Sequence, residues 1–274
     1  MSKELALLTQ VKNKSNAMWD NIRTPKLLPQ ADVMLSALRL SDGTFIKYTI
    51  TTNGVTKYAS DKTTVLWTVL HTTVGASYDA IFNVYIDTVG GFVYAIACDS
   101  TSPFTCQFFK IAISTGTVTN IGATWTPTAG SSYSSAPYFD GTSLYIIALG
   151  AGSATIMRHT INVSTGVRVE TALPATLASG ISAIFISEDT FFEYTAASTT
   201  TPCTPLHLQI IGKDKYTFMM PFGYLPTVSS TLSNQNLLSS QTGFLIGSSL
   251  NQSLIYSQSS ILDFISDIKS KILV

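Results

Sequence analysis

The chain has 274 residues, enough for one large repeat domain or two small domains. Charged residues are only 12%, about half the usual share, and Ser, Thr and Tyr take their place, which suits short strands better than Lys- and Glu-rich helices. Lys plus Arg equals Asp plus Glu at 16 each, and the nearest approach to a basic stripe is Lys12, Lys14, Arg23 and Lys26, so the composition argues against nucleic-acid binding.

The chain starts Met1-Ser2-Lys3-Glu4-Leu5 and turns polar at Thr9 and Gln10 before a hydrophobic region forms. No secretory signal is expected from this start, and no run of 18 apolar residues predicts a membrane span. Synthesis in the cytoplasm without a signal peptide is the expectation, with export by lysis or on a particle if the protein works outside. Residues 1–30 read as an N-terminal arm. Leu5, Leu8, Val11, Ser15 and Trp19 have helical spacing, and Pro25 and Pro29 end the pattern.

Residues 31–256 carry an internal echo. Phe109-Lys110-Ile111-Ala112-Ile113-Ser114-Thr115-Gly116 is an alternating strand leading into a turn. Its counterpart, Arg158 to Gly166, repeats Ser-Thr-Gly 50 residues on (116 to 166). Degenerate copies run from Ile46 to Val55 and from Leu206 to Lys215. A second element keeps the same pace: Gly90-Gly91-Phe92-Val93-Tyr94 answers Asp140-Gly141-Thr142-Ser143-Leu144-Tyr145, each a tight turn before an apolar strand. The unit is about four strands in about 50 residues, the mark of a β-propeller blade. The expected fold is all-β: a propeller of about five four-stranded blades. A plain or tandem β-sandwich is the alternative.

The pattern resembles kelch-like and quinoprotein-like propellers. Gly90 and Gly91 stand near the place of a kelch diglycine but precede the apolar strand. Trp67 and Trp125 stand where a blade-end tryptophan would, a place taken by Leu173 and Leu225 in later units. The quinoprotein likeness rests on Tyr94 and Tyr145 and on the Thr-Gly turns, and covers about residues 67–215. No set of cofactor ligands accompanies it, so no cofactor is expected.

The three cysteines are Cys98, Cys106 and Cys203. Cys98 and Cys106 flank a turn and are able to face each other across a hairpin, but adjacent-strand geometry often disfavours a bridge. Reduced, mostly buried thiols are the preferred reading. Three histidines, His71, His159 and His207, lack metal-ligand spacing. His159 and His207 fall on corresponding strands, where ordinary strand positions are expected. No Walker loop, dinucleotide fingerprint or nucleophile elbow occurs. Turn carboxylates usually bond to their own backbone. A glycan-active hydrolase is therefore a minor alternative, with Asp79, Asp87 and Asp140 as the residues to test.

Twelve Tyr and fourteen Phe are many for so few charges. Tyr78, Tyr133, Tyr138 and Phe139 lie among Ser and Gly, a context for an adaptable binding surface, and they are the candidate binding residues. Residues 257–274 change period: Ile261, Ile265, Ile268 and Ile272 share one helical face, predicting a C-terminal amphipathic helix. In style the chain resembles a tailed-phage virion protein. The expected function is a non-enzymatic structural or adhesion component of a viral particle, tail-associated, with glycan or host-receptor recognition through loops. Its expected partners are other virion proteins or further copies held through the termini. The alternative is a soluble scaffold for protein–protein interaction.

Overall fold

The computed structural model describes residues 37–49, 54–99, 105–127, 131–133, 135–150, 156–173, 181–187, 190–195, 203–211, 217–226, 237–240, 243–247 and 253–257. The expected arm over 1–30 and the C-terminal helix, beyond residue 257, lie outside the described residues. The first sheet runs in order through β1 (Ala37–Arg39), β2 (Phe45–Thr49), β3 (Gly54–Tyr58) and β4 (Val65–Leu70), all antiparallel. One turn of helix, α1 (His71–Val74), leads to β5 (Ala80–Asp87), β6 (Phe92–Cys98), β7 (Cys106–Ala112) and β8 (Val118–Trp125). Then come β9 (Ser131–Tyr133), β10 (Ser135–Ala136), β11 (Tyr138–Phe139), β12 (Ser143–Gly150), β13 (Ile156–Asn162) and β14 (Arg168–Leu173). The next run is β15 (Ile181–Ser187), β16 (Thr190–Thr195), β17 (Cys203–Ile211) and β18 (Thr217–Pro226). Last are β19 (Leu237–Ser240), β20 (Gly243–Gly247) and β21 (Ser253–Ser257).

The all-β expectation holds, but the closed ring of five four-stranded blades does not. Among the described residues the strands form four sheets of 4, 5, 5 and 7 strands, each running from one edge strand to another, so none closes. Antiparallel four-strand runs do recur, as β1–β4, β5–β8 and β11–β14. The last unit departs from the pattern. Strands β19–β21 do not make a blade of their own. They extend the β5–β8 run through a parallel pairing, Ser239 with Tyr85 and Ser240 with Ile86. A strand edge with unpaired N–H and C=O groups is a ready template for another strand, and the β5 edge takes β19. The other parallel join sets Ser135 of β10 against Ala183 of β15.

The β5–β8 run is covered on both faces, which is why β6 reads as an unbroken apolar segment. Strand alternation divides its residues between two cores. Val93, Ala95 and Ala97 join Ile46, Tyr48, Val55 and Val69 of the first sheet. Tyr94, Ile96 and Cys98 join Leu144, Ile146 and Ile161 of β12 and β13. Each large apolar side chain so buried contributes about 1.5–3 kcal/mol. The bulge between Phe82 and Tyr85 contains Asn83 at φ 53 and re-phases β5, so that Val84 and Ile86 face the first core and Tyr85 the second.

One polar tie crosses the first core: the Tyr48 hydroxyl donates to the Ile81 carbonyl, joining β2 to β5. Tyr48→Phe removes the donor and leaves a buried acceptor short of a partner. We expect a loss of about 1–2 kcal/mol, read as a lower urea midpoint. An unchanged midpoint would refute this role.

The two Ser-Thr-Gly turns are equivalent. Gly116 and Gly166 adopt φ 74 and 73. Each donates its N–H to the carbonyl four residues back, Ala112 or Asn162, at 2.8 Å. The other repeat pair is offset by one residue: the carbonyl that receives the Ile113 N–H is that of Gly91, while Val163 donates to Thr142, not Gly141. Each Gly turn packs on the outer strand of the preceding run. Trp67 of β4 lies over Gly116, and Gly122 of β8 lies against Gly166.

Cys98 and Cys106 are directly opposed in the β6–β7 register with Cα atoms 4.3 Å apart, and their sulfurs are bonded. The expectation of reduced thiols is corrected for this pair. The reason is register: Asp99 N–H bonds to the Thr105 carbonyl at 2.9 Å, closing the loop so that the two cysteines become facing partners.

Candidate binding surface

Strand β11 has only two residues, pairing Tyr138 with Tyr145 and Phe139 with Leu144 of β12. Successive strand residues point to opposite faces. Phe139 therefore turns toward the β5–β8 run. Its ring centroid is 5.6 Å from Tyr85, in edge contact, and 5.5 Å from Tyr94. Tyr94 stacks on Phe108 at 6.0 Å and meets Phe92 at 6.2 Å. Tyr138 turns the other way, 5.8 Å from Tyr145. The β6–β7 register sets Lys110 opposite Tyr94, and the Lys110 Nζ stands 4.4 Å over the Phe92 ring. The Arg158 guanidinium stands 5.9 Å from the Tyr145 ring. These contacts make an aromatic band of Phe139, Tyr85, Tyr94, Phe108 and Phe92 across two sheets, with Lys110 at its Phe92 end. Tyr138, Tyr145 and Arg158 form a separate group on the opposite face of the β11–β12 pair. Tyr85, Tyr94 and Phe108 are the buried floor of the band, while Phe92, Lys110 and Phe139 are half-buried and reach its surface.

The carboxylates beside the band are engaged in turns. Asp87 is buried and accepts the Gly90 N–H at 2.8 Å. Asp140 accepts the N–H groups of Thr142 and Ser143, both at 2.7 Å, and the Tyr145 hydroxyl at 2.9 Å. Burial works against the Asp140 carboxylate, but these donors outweigh it and hold its pKa below the ordinary value. Burial first, then the Asp87 charge, pushes the phenols of Tyr85 and Tyr94 up, so both stay neutral. Asp79, the third residue of the hydrolase alternative, has its N–H on the Cys98 carbonyl at 3.1 Å. Asp87 and Asp140 each serve their own turn. Among the described residues no group of three or more His, Cys, Asp or Glu could hold a metal ion.

Of the four expected binding residues, Phe139 stands in the band and Tyr138 on the opposite face of β11, against Tyr145. Tyr78 joins neither. It is 8% exposed and belongs to the first core, where its N–H bonds to the Gly75 carbonyl and its own carbonyl meets His71 Nδ1. Burial, then Asp99, pushes its phenol up. Tyr133 lies on β9 opposite Ala148, and its side chain is outside the described residues. Sequence reasoning missed Phe92 and Lys110. Their signal was present as a strand alternation, Phe92 with Tyr94 on β6 and Lys110 on β7, but it needs the cross-strand register to become a surface.

No protein-family model matches the chain. No curated protein matches it either. Among solved structures it is similar to a chain of a nidogen/laminin complex, with 9% identity, a TM-score of 0.42, and coverage of 74% of this chain and 84% of that one. It is similar to the β-propeller domain of the Trilobed protease from Pyrococcus furiosus, with 9% identity, a TM-score of 0.35, and coverage of 78% of this chain and 64% of that one. It is also similar to the WD40 repeats of RRP9, with 11% identity, a TM-score of 0.40, and coverage of 82% of this chain and 95% of that one. The chain therefore has a weak, distant resemblance to several β-propeller structures, which carries no argument about function, and nothing in these likenesses ties it to a virion.

Proposed function

We propose that the protein is a non-catalytic β-sheet scaffold that binds another protein through the aromatic band. The observation that carries this reading is the surface edge of the band: Phe92 and Phe139 half-exposed above a rigid aromatic floor, with Lys110 over Phe92. Aromatic side chains held in place by packing are the usual anchors of protein interfaces, because little side-chain freedom remains to be lost on binding. The neighbouring carboxylates are already satisfied, which favours binding over turnover. The scaffold is preferred to the particle component. That second reading rests on composition and on terminal segments outside the described residues, whereas the scaffold rests on a surface.

The test is a displayed random-peptide library panned on the full-length protein and on a Phe92→Ala/Lys110→Ala variant. Peptides enriched on the wild type should bind the variant about tenfold or more weakly, with circular dichroism unchanged. Equal binding to both proteins, or release of product from a glycan library, would overturn the proposal.

A further inference from the structure

His159 is 1% exposed on β13, opposite Ile146 on one side and Glu170 on the other. Its Nδ1 lies 3.2 Å from Arg168 Nη1. A guanidinium only donates, so Nδ1 carries the lone pair and the ring is neutral, with its proton on Nε2. Arg168 also bonds to the Glu170 carboxylate, and its guanidinium stands 5.1 Å over the Trp125 ring at the end of β8. Two residues before Arg168, Gly166 touches Gly122 of β8 backbone to backbone. The outer seam between β8 and β14 thus includes, among the described residues, a glycine contact and an arginine–tryptophan stack, and the stack is held from behind by a histidine.

We propose that His159 is an acid-sensitive latch: neutral, it holds Arg168 on Trp125; protonated, it releases Arg168 and loosens the β8–β14 seam. Protonation turns Nδ1 from acceptor to donor. It then faces the Arg168 donors, the hydrogen bond is lost and two cations repel. Glu170, already 3.8 Å from Nδ1, becomes the partner of the imidazolium in place of Arg168. The other groups around the ring do not compensate. Ile146 of β12 does not titrate. Tyr85 and Tyr94, in the core shared with the β5–β8 run, stay neutral because burial pushes both up. Arg158, one residue away on β13, projects from the opposite face, where it meets the Tyr145 ring. Burial first, then Arg168, lowers the His159 pKa from 6.5 to about 4. The sign follows. The stabilisation is complete above the unfolded value of 6.5, declines as pH falls below it, and the folded latch itself opens near pH 4.

The indole N–H resonances of the full-length protein report the seam, with Trp125 assigned through Trp125→Phe. The Trp125 signal should shift reversibly with a midpoint near pH 4 while that of Trp67 stays in place. His159→Asn keeps an acceptor for Arg168 and does not titrate, so its Trp125 signal should not move. Arg168→Met should show the acid position of Trp125 already at neutral pH. The latch is overturned if Trp125 does not respond in the wild type, if His159→Asn titrates alike, if Arg168→Met keeps the wild-type signal, or if Trp67 and Trp125 change together.

Discussion

Gly166→Ala should destabilise the protein by about 3 kcal/mol, whereas Gly141→Ala should cost about 1 kcal/mol. Both glycines have positive φ, 73 and 97, so both substitutions carry the left-handed backbone cost of about 1–2 kcal/mol. They differ in the space around the new methyl group. At Gly141 nothing lies within 4 Å of an added Cβ. At Gly166 the Cβ would lie 2.5 Å from the Gly122 Cα and 2.6 Å from its N. These are backbone atoms of the neighbouring run, and no rotamer change relieves the clash. The turn cannot rotate away either, because Gly166 N–H is tied to the Asn162 carbonyl and Asn162 Oδ1 accepts the N–H groups of Ser164 and Thr165 at 3.0 Å. The remaining outcome is separation of two runs, at an overpacking cost of about 1–3 kcal/mol. Urea midpoints of the two variants measure the difference. Equal losses would show that φ alone matters and that the close approach of the two runs does not.

The same turn shows why part of the fold was legible in the sequence. Ser-Thr-Gly between alternating strands is a local instruction, and Gly116 and Gly166 obey it with nearly identical geometry. The apolar run from Phe92 to Cys98 likewise announces a strand covered on both faces. Ring closure was not legible, because it turns on which edge accepts the last three strands. The pairing of Ser239 with Tyr85 joins segments over 150 residues apart (239 − 85 = 154) and has no local signature. The expected binding residues divide in the same way. Tyr78 and Tyr138 have similar polar neighbours in sequence. Tyr78 is buried because α1 and Gly75 fold the chain back over it, with the Tyr78 ring 2.7 Å from where a Gly75 Cβ would be. Tyr138 sits on a two-residue strand beside Tyr145 and stays half-exposed. Lys110 looked like one alternating strand residue among many until the register set it over Phe92.

Reduction of the Cys98–Cys106 bond should cost about 2.5 kcal/mol of stability. The bond joins residues eight apart in sequence. In the chain-entropy account a loop of this size, closed in the unfolded state as well, removes about 9 cal/mol/K of unfolded-chain entropy, and that loss favours the native state. The native hairpin needs no rearrangement to accept the bond, since β6 and β7 already hold the two residues opposite each other. Cys106 is fully buried and Cys98 is 4% exposed, both in the second core with Tyr94, Phe108 and Ile121. A reductant should therefore act slowly on the native protein and fully only after unfolding. Two measurements check the argument. Thiol titration of the denatured chain should find one reactive sulfur before reduction and three after it, since the bond takes two of the three cysteines. Urea midpoints should fall in the presence of reductant for the wild type and stay put for Cys98→Ala/Cys106→Ala, which lacks the bond from the start. Three reactive thiols before reduction, with a midpoint indifferent to reductant, would return these cysteines to the role of plain buried side chains.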